Sequence, residues 1–289
     1  MQIKAYAKIN LYLDVTKKRS DGYHEIISIM QSVDLADDVT VTVDQSAPAQ
    51  IALECDAGLP CDERNIAYRA VNSYFGGNLP CRICVKISKK IPHEAGLAGG
   101  SADCAAVLKA LNQIFKKYTP KQLLALGASL GADVPFCLTN GTQIARGIGE
   151  KLQPCAPMPD CYLVIARGGA GVSTPAAYKA LDVKYGNFES TDERAENGLE
   201  TILSTMQSGS LTGTCLAMYN VFESVVLQEH RVASELKTCM LAKGAIAALM
   251  SGSGPSVVGV FSDPEKARTV AKTITEQGIF AQICRPVNE

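Results

Sequence analysis

The chain has 289 residues, 47% of them hydrophobic and 20% charged, and this composition excludes a disordered, collagenous or fibrous protein. Its 28 lysines and arginines are balanced by 29 acidic residues, so no overall positive field exists to hold nucleic acid or an anionic membrane. A prior of about 150 residues per domain predicts two domains.

The cysteine content indicates a reducing compartment. Eleven cysteines are an odd number in a long chain, which argues against a disulfide framework. The first residues lack the apolar run of a signal peptide, so we expect a cytoplasmic protein. No apolar stretch approaches the roughly 20 residues that cross a bilayer, so we expect no membrane association. Cys81 and Cys84 have CxxC spacing without a second pair, which favours packing on a strand over zinc binding or redox chemistry.

The first predicted element is a strand. From Ile3 to Val15 every odd position is apolar, and this period of two is typical of a strand with one core face. The opposite face carries Lys8 and Asn10, for which solvent exposure is the simplest alternative to a functional role. Further strands are predicted at residues 39–43 and 51–53, and we expect an antiparallel meander.

A helix is predicted at residues 65–75 and a strand at 83–87, followed by a glycine-rich turn and an amphipathic helix. The next helix begins at Thr119 and Pro120 and is expected to end near Gly127. We predict a tight loop over residues 129–136 and then a hairpin turning at 140–141. The first domain is expected to span residues 1–152.

The second domain, residues 153–289, opens with a strand at 162–166 and a helix capped by Ser173 or Thr174. Residues 187–207 are polar, and no element is assigned to them. The remaining pattern is helix, strand, strand, helix and strand, which indicates most of a ferredoxin-like unit. These elements are predicted at residues 231–241, 245–250, 256–261, 264–276 and 280–284.

The glycine-rich turn is the strongest local functional signal. Small residues let backbone N–H groups approach an anion, and the following helix points its positive end toward that anion, so phosphate binding is predicted. Neither a Walker A sequence nor GxGxxG is present. A glycine-rich connector without a ligand is an equal alternative for this segment alone. Residues 252–256 form a second small-residue turn, for which a plain hairpin is the alternative.

Other polar residues carry weaker signals. Asp133 has apolar neighbours and needs a partner, and a helix-capping role is the alternative. Tyr23 and His24 follow a turn, where a surface or packing pair is the alternative to a ligand contact.

Three segments taken together resemble the motifs of the GHMP family of small-molecule kinases: residues 7–11, 92–102 and 251–256. The resemblance spans nearly the whole chain and implies an α+β, two-domain GHMP kinase fold. Its N-terminal nucleotide-binding domain would be ribosomal S5 domain 2-like, and its C-terminal domain ferredoxin-like.

The resemblance implies transfer of the γ-phosphoryl group of ATP to a hydroxyl. Asp133 would accept the hydroxyl proton, and Lys8 would stabilise charge between hydroxyl and phosphate. Asn65 and Lys89 would lie near adenine, and Mg²⁺ would accompany ATP and need few protein ligands. The residues around the triphosphate would be Pro92, His93, Glu94, Ala95, Gly96, Leu97, Ala98, Gly99, Gly100, Ser101 and Ala102.

Residues 19–24 and 130–135 resemble the members of this family that act on a cytidine diphosphate-linked methylerythritol of the non-mevalonate isoprenoid pathway. By this resemblance Tyr23 and Tyr178 would sandwich cytosine and His24 would hydrogen-bond to its edge, while Asn10 and Thr174 would contact the rest of the substrate. A monomer or weak homodimer is expected. The alternatives are a homoserine or mevalonate type of kinase, a non-catalytic metabolite sensor, and a nucleic-acid-binding module, which the net charge disfavours.

The phosphate loop departs from the family pattern, which is richer in glycine. His93, Glu94, Ala95 and Ala98 add side chains and one negative charge beside the expected triphosphate. Glu94 would repel the phosphates, point away from them or help to hold magnesium, and these alternatives stay open at this point.

Overall fold

The computed structural model of the chain describes residues 1–186, 188 and 191–288. The strands are β1 (Gln2–Lys18), β2 (His24–Asp44), β3 (Gln50–Cys55), β4 (Arg82–Ser88), β5 (Thr142–Arg146), β6 (Lys151–Pro154), β7 (Tyr162–Arg167), β8 (Tyr219–Asn220), β9 (Ala247–Met250), β10 (Val257–Phe261), β11 (Phe280–Cys284) and β12 (Pro286–Val287). The helices are α1 (Ile66–Phe75), α2 (Gly99–Phe115), α3 (Pro120–Leu130), α4 (Val134–Thr139), α5 (Thr174–Tyr185), α6 (Thr191–Gln207), α7 (Leu211–Ala217), α8 (Glu223–Glu229), α9 (Arg231–Ala242) and α10 (Pro264–Thr275). No helix among the described residues is long and apolar enough to cross a membrane.

The chain forms two units, and each unit gathers separate stretches of sequence. Unit 1 consists of Met1–Ala7, Leu35–Pro92 and Ala98–Thr139. Unit 2 consists of Lys8–Asp34, His93–Leu97 and Asn140–Glu289. The long strands β1 and β2 therefore contribute residues to both units.

In unit 1, β4 pairs with two strands of opposite direction. It is antiparallel to β2, with Val41 opposite Val85, and parallel to β3, with Ile51 opposite Ile83. The expected antiparallel meander is therefore wrong. Because α1 lies between β3 and β4 in sequence, it supplies the crossover connection that a parallel pair needs.

The helices of unit 1 pack through aromatic and small residues. The ring centroids of Phe75 in α1 and Phe115 in α2 lie 5.0 Å apart, edge to face. The predicted apolar stripe of α2 consists of Ala105, Leu108, Leu111 and Phe115; the first three are fully buried, and Phe115 is half-buried. This burial holds the N-terminus of α2 on a rigid element.

Residues 129–141 differ from the prediction. Helix α3 continues to Leu130, and the expected loop and hairpin are replaced by α4, so the turn at Asn140 joins a helix to β5. Proline is tolerated in the first turn of a helix, and Pro135 is the second residue of α4. Gly127 does not end α3, because its role is packing: an added Cβ would lie 2.8 Å from Leu138.

Unit 2 contains a four-stranded antiparallel sheet in the order β11-β7-β10-β9. Helices α9 and α10 pack Leu236 and Val270 into the same core cluster as Val164 and Phe261 of the sheet. Because the strand order and the connecting helices are those of a split βαβ unit, the predicted ferredoxin-like domain is confirmed.

The unit 2 part of β1 is buried on both faces. Lys8, Asn10, Tyr12 and Asp14 are each at most 5% exposed, so solvent exposure of this face is wrong. Helix α6 accounts for part of the cover, since Arg194 forms an ion pair with Asp14 at 2.7 Å. This helix occupies most of the polar segment that had no predicted element; residues 187, 189 and 190 of that segment lie outside the described residues.

Candidate active site

A hydrogen-bond chain fixes the Lys8 ammonium in unit 2. Lys8 Nζ donates to Asn10 Oδ1 at 2.8 Å, and Asn10 Nδ2 donates to Ser28 Oγ at 2.8 Å. Ser28 in turn donates to the carbonyl oxygen of Tyr12 at 2.7 Å. Since each group is buried and paired, Lys8 has one defined position.

The turn at residues 251–256 packs against this lysine and against the loop at 93–97. A Cβ added to Gly252 would lie 3.5 Å from Lys8 Nζ, and one added to Gly96 would overlap the carbonyl oxygen of Ser251. Ser251 Oγ donates to the Gly96 carbonyl at 3.1 Å, and the Lys8 backbone N–H donates to Leu97 at 3.1 Å. The turn at residues 251–256 does join two strands, as a plain hairpin would. Its glycine at position 252 is also needed because the backbone there comes close to Lys8 and to Gly96.

Two residues that the sequence analysis did not select hold this turn. Asn220 Nδ2 donates to the carbonyls of Met250 at 2.6 Å and Gly252 at 2.8 Å. Glu223 Oε1 accepts the Met250 backbone N–H at 2.8 Å. Asn220 is 2% exposed, so these bonds replace water that the buried carbonyls would otherwise need.

Asn220→Asp is expected to destabilise the protein by about 3 kcal/mol, because a carboxylate would face two carbonyl oxygens and leave both without a donor. Urea unfolding monitored by circular dichroism measures the loss. Asn78→Asp is the matched control at an exposed position, where a change within about 0.5 kcal/mol is expected. Equal stability of the two variants would contradict the role of Asn220.

In unit 1 the N-terminus of α2 has no side-chain cap. Its N-cap residue, Ala98, has a left-handed backbone with φ 56° and forms no capping hydrogen bond. The first N–H groups of a helix have no partner within the helix and carry its positive end. The backbone at Gly99, Gly100 and Ser101 is therefore suited to an anion.

The loop that carries Asp133 lies beside this helix start. A Cβ added to Gly131 would lie 3.9 Å from Ser101 Oγ and 3.4 Å from Ile66, the residue after Asn65. The starts of α1, α2 and α4 thus meet within unit 1. The half-buried Asp133 carboxylate forms no hydrogen bond or ion pair with the described residues of unit 1, which leaves it available as a proton acceptor.

The two residues expected near adenine make structural contacts in unit 1. Asn65 caps α1 by accepting the Ala67 N–H at 2.9 Å. Lys89 is 8% exposed, and its ammonium lies 2.5 Å from Asp37 and 2.7 Å from Asp103. Their placement near adenine stays a prediction, and the lysine already has two partners.

This ion cluster contains an acid that is easily protonated. Burial raises the pKa of Asp103 to about 7, against the opposing charge of Lys89, and the nearby Asp37 adds to the rise. Asp103 Oδ1 is buried without a hydrogen-bond partner. The Lys89 ammonium therefore neutralises one of two carboxylates that crowd the same buried space.

Asp103→Asn is expected to remove a pH dependence of stability. A pKa raised in the folded state gives stability that is complete below the unfolded value of 3.8 and is lost as the pH rises through about 7. The unfolding free energy of the wild type should therefore fall relative to that of the variant by on the order of 2 kcal/mol between pH 5 and pH 8. Urea unfolding at each pH measures this difference.

Asp38→Asn is the matched control for Asp103→Asn. Hydrogen bonds from Lys4 and Lys90 lower the pKa of Asp38, so its contribution is lost as the pH falls, with the opposite sign. Parallel pH profiles for the Asp103 variant and the wild type would contradict the assignment.

The residues expected to bind a nucleobase partly come together in unit 2. The rings of His24 and Tyr178 stack with centroids 4.6 Å apart, and Tyr23 is 61% exposed. Thr174 Oγ1 lies 2.8 Å from Ser253 Oγ in the third motif. Asp182, which the sequence analysis did not select, lies 2.7 Å from His24 Nε2.

Unit 1 therefore holds Asp133 and the start of α2, and unit 2 holds Lys8, the 93–97 loop and the His24 cluster. That Lys8 and Asp133 act on one substrate stays a prediction, as do the roles assigned to the individual site residues.

Comparison with known proteins identifies the class. The model of the GHMP kinases N terminal domain matches residues 65–141, and that of the GHMP kinases C terminal domain matches residues 202–279. The chain belongs to the GHMP kinase family, and it is an ATP-dependent enzyme that transfers phosphate to an alcohol group of a small molecule. The family and fold expected from the sequence are confirmed. The two matched domains lie on either side of residue 152, where the domain boundary stays a prediction.

Relatives across nearly the whole chain share one name. The 4-diphosphocytidyl-2-C-methyl-D-erythritol kinase of Alkaliphilus metalliredigens is 41% identical, covering 95% of this chain and 92% of the relative. The protein of that name from Clostridium botulinum is 40% identical, covering 99% of this chain and 100% of the relative.

Solved structures are also similar to this chain. A crystal structure of 4-(cytidine 5'-diphospho)-2C-methyl-D-erythritol kinase has a TM-score of 0.79 and 32% identity, covering 98% of this chain and 99% of that one. Homoserine kinase from Cytophaga hutchinsonii, with a TM-score of 0.72 and 20% identity, covers 99% of this chain and 95% of that one. The second structure shares the fold alone.

Proposed function

We propose that the enzyme transfers the γ-phosphoryl group of ATP to the 2-hydroxyl of 4-diphosphocytidyl-2-C-methyl-D-erythritol. This choice of substrate is supported by the name that relatives share, which are about 40% identical to this chain over nearly its whole length. Homoserine kinase shares the fold at only 20% identity, so it does not support its own substrate for this chain.

The reaction needs a proton acceptor and a local positive charge. The Asp133 carboxylate takes the proton of the 2-hydroxyl as that oxygen bonds to the γ-phosphorus, and the bond from this phosphorus to the bridging oxygen breaks to release ADP. The Lys8 ammonium stabilises the negative charge on the oxygens between nucleophile and phosphate. The burial of Lys8 supports this role, because a charge acts more strongly where water is excluded.

The uncapped start of α2 supports binding of the triphosphate at residues 98–102. Its free N–H groups and helix dipole suit phosphate oxygens, and glycines admit a close approach. Mg²⁺ is proposed to enter with ATP, held mainly by phosphate oxygens and water. Among the described residues no cluster of three or more His, Cys, Asp or Glu side chains could hold a metal.

The substrate pocket is proposed to select cytosine. Tyr23 and Tyr178 would stack on the base, with His24 at its polar edge, and Asn10 and Thr174 would contact the remainder of the molecule. Such remote contacts orient the reacting hydroxyl without taking part in the chemistry. A cytoplasmic location and a monomer or weak homodimer stay predictions.

A substrate panel tests this function. Purified enzyme with ATP and Mg²⁺ is given 4-diphosphocytidyl-2-C-methyl-D-erythritol, homoserine or mevalonate, and ADP release is followed by a coupled assay. We expect turnover of the first compound alone, with a new phosphomonoester at its 2-oxygen by ³¹P NMR. Turnover of homoserine or mevalonate instead would overturn the substrate, and ligand binding without ADP would indicate a sensor.

Glu94 provides a test of the phosphate loop. Its backbone is left-handed with φ 49°, and its carboxylate lies beside Gly171, where an added Cβ would be 2.7 Å from Oε2. Glu94→Gly is expected to stabilise the protein by about 1 kcal/mol, since glycine adopts this conformation without strain. Loss of the negative charge should also lower the KM for ATP by about two- to fivefold.

Glu94→Gln separates the two effects, because it removes the charge and keeps the strained backbone. It should match Glu94→Gly in KM and the wild type in melting temperature. A raised KM in both variants would instead mean that Glu94 helps to hold the magnesium nucleotide.

A further inference from the structure

We propose that Asp182 determines the preference for cytosine by holding His24 in the tautomer that carries its proton on Nε2. This inference rests on the proposed function, because it concerns the base of the same substrate. Asp182 would act through His24 and is therefore a positioning residue.

The His24 ring is fixed on several sides within unit 2. It is 6% exposed, with the Tyr178 ring stacked on it at 4.6 Å and the Phe188 ring edge-on at 5.7 Å. Its Nε2 lies 2.7 Å from Asp182 Oδ1. These contacts leave the imidazole little freedom to turn over and exchange its two nitrogens.

The chemistry of Asp182 decides which nitrogen carries the proton. Lys18 Nζ donates to Asp182 Oδ2 at 2.6 Å. Partial burial acts to raise the pKa of Asp182, but the hydrogen bonds from Lys18 and His24 outweigh it and lower that pKa below its usual value. An ionised carboxylate only accepts hydrogen bonds, so Nε2 must be the N–H donor.

The other ring nitrogen is then an acceptor. In neutral imidazole one nitrogen donates and the other accepts, so Nδ1 presents its lone pair. Within the described part of the chain, Nδ1 has no hydrogen-bond partner. Nδ1 is not among the buried polar atoms that lack a partner, so this nitrogen is accessible, and a ligand that donates a hydrogen bond can reach it.

Cytosine and uracil differ at the group that this acceptor would meet. Cytosine carries an exocyclic amino group, which donates, whereas a carbonyl oxygen at the same position, as in uracil, only accepts. An acceptor at Nδ1 pairs with the amino group and faces a second lone pair if uracil enters. A polar site left unpaired in this way discriminates strongly between two ligands of nearly equal shape.

One helix supplies both the stacking ring and the carboxylate. Tyr178 and Asp182 are four residues apart on α5 and therefore lie on the same face. Lys18 reaches the same carboxylate from β1. His24, which would contact the base, is thus hydrogen-bonded to the Asp182–Lys18 ion pair, and this ion pair does not itself need to contact the substrate.

Asp182→Asn tests the proposal, because Lys18 determines how the new amide is oriented. The ammonium requires an acceptor, so the amide oxygen should remain on Lys18 and the amide NH₂ should face His24. Nε2 must then accept, which moves the ring proton to Nδ1 and favours a carbonyl on the base. We expect the ratio of kcat/KM for the cytidine substrate to that for its uridine counterpart to fall by about 10- to 100-fold.

Two further variants provide matched controls. Lys18→Met leaves the carboxylate in place and should keep the cytidine preference. The double variant Lys18→Met with Asp182→Asn frees the amide to turn its oxygen to His24, so it should recover much of the preference. The KM for ATP should be unchanged in all three variants, which also reports on their folding.

The tautomer itself is measured by ¹⁵N NMR of the His24 imidazole at pH 7.5, without substrate. We expect the Nε2–H form in the wild type and the Nδ1–H form in Asp182→Asn. An Nδ1–H or doubly protonated ring in the wild type would overturn the proposal. The proposal would also be overturned if Asp182→Asn switched the tautomer of His24 but kept the preference for the cytidine substrate.

These outcomes are distinct from a failure of the proposed function. If the wild type phosphorylates neither nucleotide substrate, the assigned substrate is wrong, and with it the base-reading role. If the wild type prefers the cytidine compound and Asp182→Asn retains that preference, the substrate stands and the role of Asp182 is wrong.

Discussion

Asp133→Asn is expected to lower kcat by about 1,000-fold while changing the KM for ATP by less than about twofold. The amide has nearly the same shape as the carboxylate but cannot accept the hydroxyl proton at neutral pH. Because the wild-type carboxylate is half-buried without a partner in its own unit, its replacement leaves no charge unpaired there. Steady-state kinetics with both substrates varied, and a melting curve, measure the change.

The matched control for this variant is Asp160→Asn, an exposed carboxylate paired with Arg285 on the surface. It should keep wild-type turnover, since a surface ion pair contributes little. An Asp133→Asn enzyme with unchanged kcat would remove Asp133 from the role of base. A lost fold in that variant alone would show that it is a structural capping residue.

Lys8→Met is expected to lower kcat by about 100- to 1,000-fold, through loss of the charge that stabilises the transferring phosphoryl group. Methionine fills a similar volume, but Asn10 Oδ1 loses its buried donor, so stability should also fall by about 1–3 kcal/mol. Kinetics at a temperature well below the melting transition separates the two effects.

Lys4→Met is the control on the same strand, where the lysine is half-exposed and pairs with Asp38. It should retain turnover. Lys8→Arg should not restore activity, because a planar guanidinium cannot place its charge where the compact Lys8 ammonium lies, 2.8 Å from Asn10 Oδ1. Wild-type turnover in a folded Lys8→Met enzyme would contradict the charge-stabilising role.

Helices and strands with a strong hydrophobic period could be predicted from the sequence, because this period depends only on residues that are close together in the chain. The strand, helix and turn order of the C-terminal unit follows from such local patterns, and so does the apolar stripe of α2. The glycine turns could be recognised for the same reason, since a glycine-rich sequence indicates close approach of backbone to some partner.

The prediction failed where distant residues decide the outcome. The sequence pattern indicates that the polar face of β1 is exposed, yet Arg194 pairs with Asp14 and Ser28 pairs with Asn10 on this buried face. Residues 134–139 form a helix where the sequence indicates a loop. Proline occurs both in loops and in the first turn of a helix, so Pro135 alone does not distinguish the two structures.

The supporting residues of the site were missed for a similar reason. Asn220 and Asp103 each work through groups far away in sequence, and neither belongs to a motif. Asp182 had a local signal, its spacing of four from Tyr178, but only the structure shows that both contact His24.

The most direct test of the account is a crystal structure with a non-hydrolysable ATP analogue and 4-diphosphocytidyl-2-C-methyl-D-erythritol bound. We expect the 2-hydroxyl to lie within about 3.2 Å of an Asp133 carboxylate oxygen, with Lys8 Nζ in reach of the γ-phosphate and backbone N–H groups of residues 98–101 facing the other phosphates. A ternary complex in which either side chain stays more than about 6 Å from the reacting atoms, without a bridging water, would contradict the mechanism.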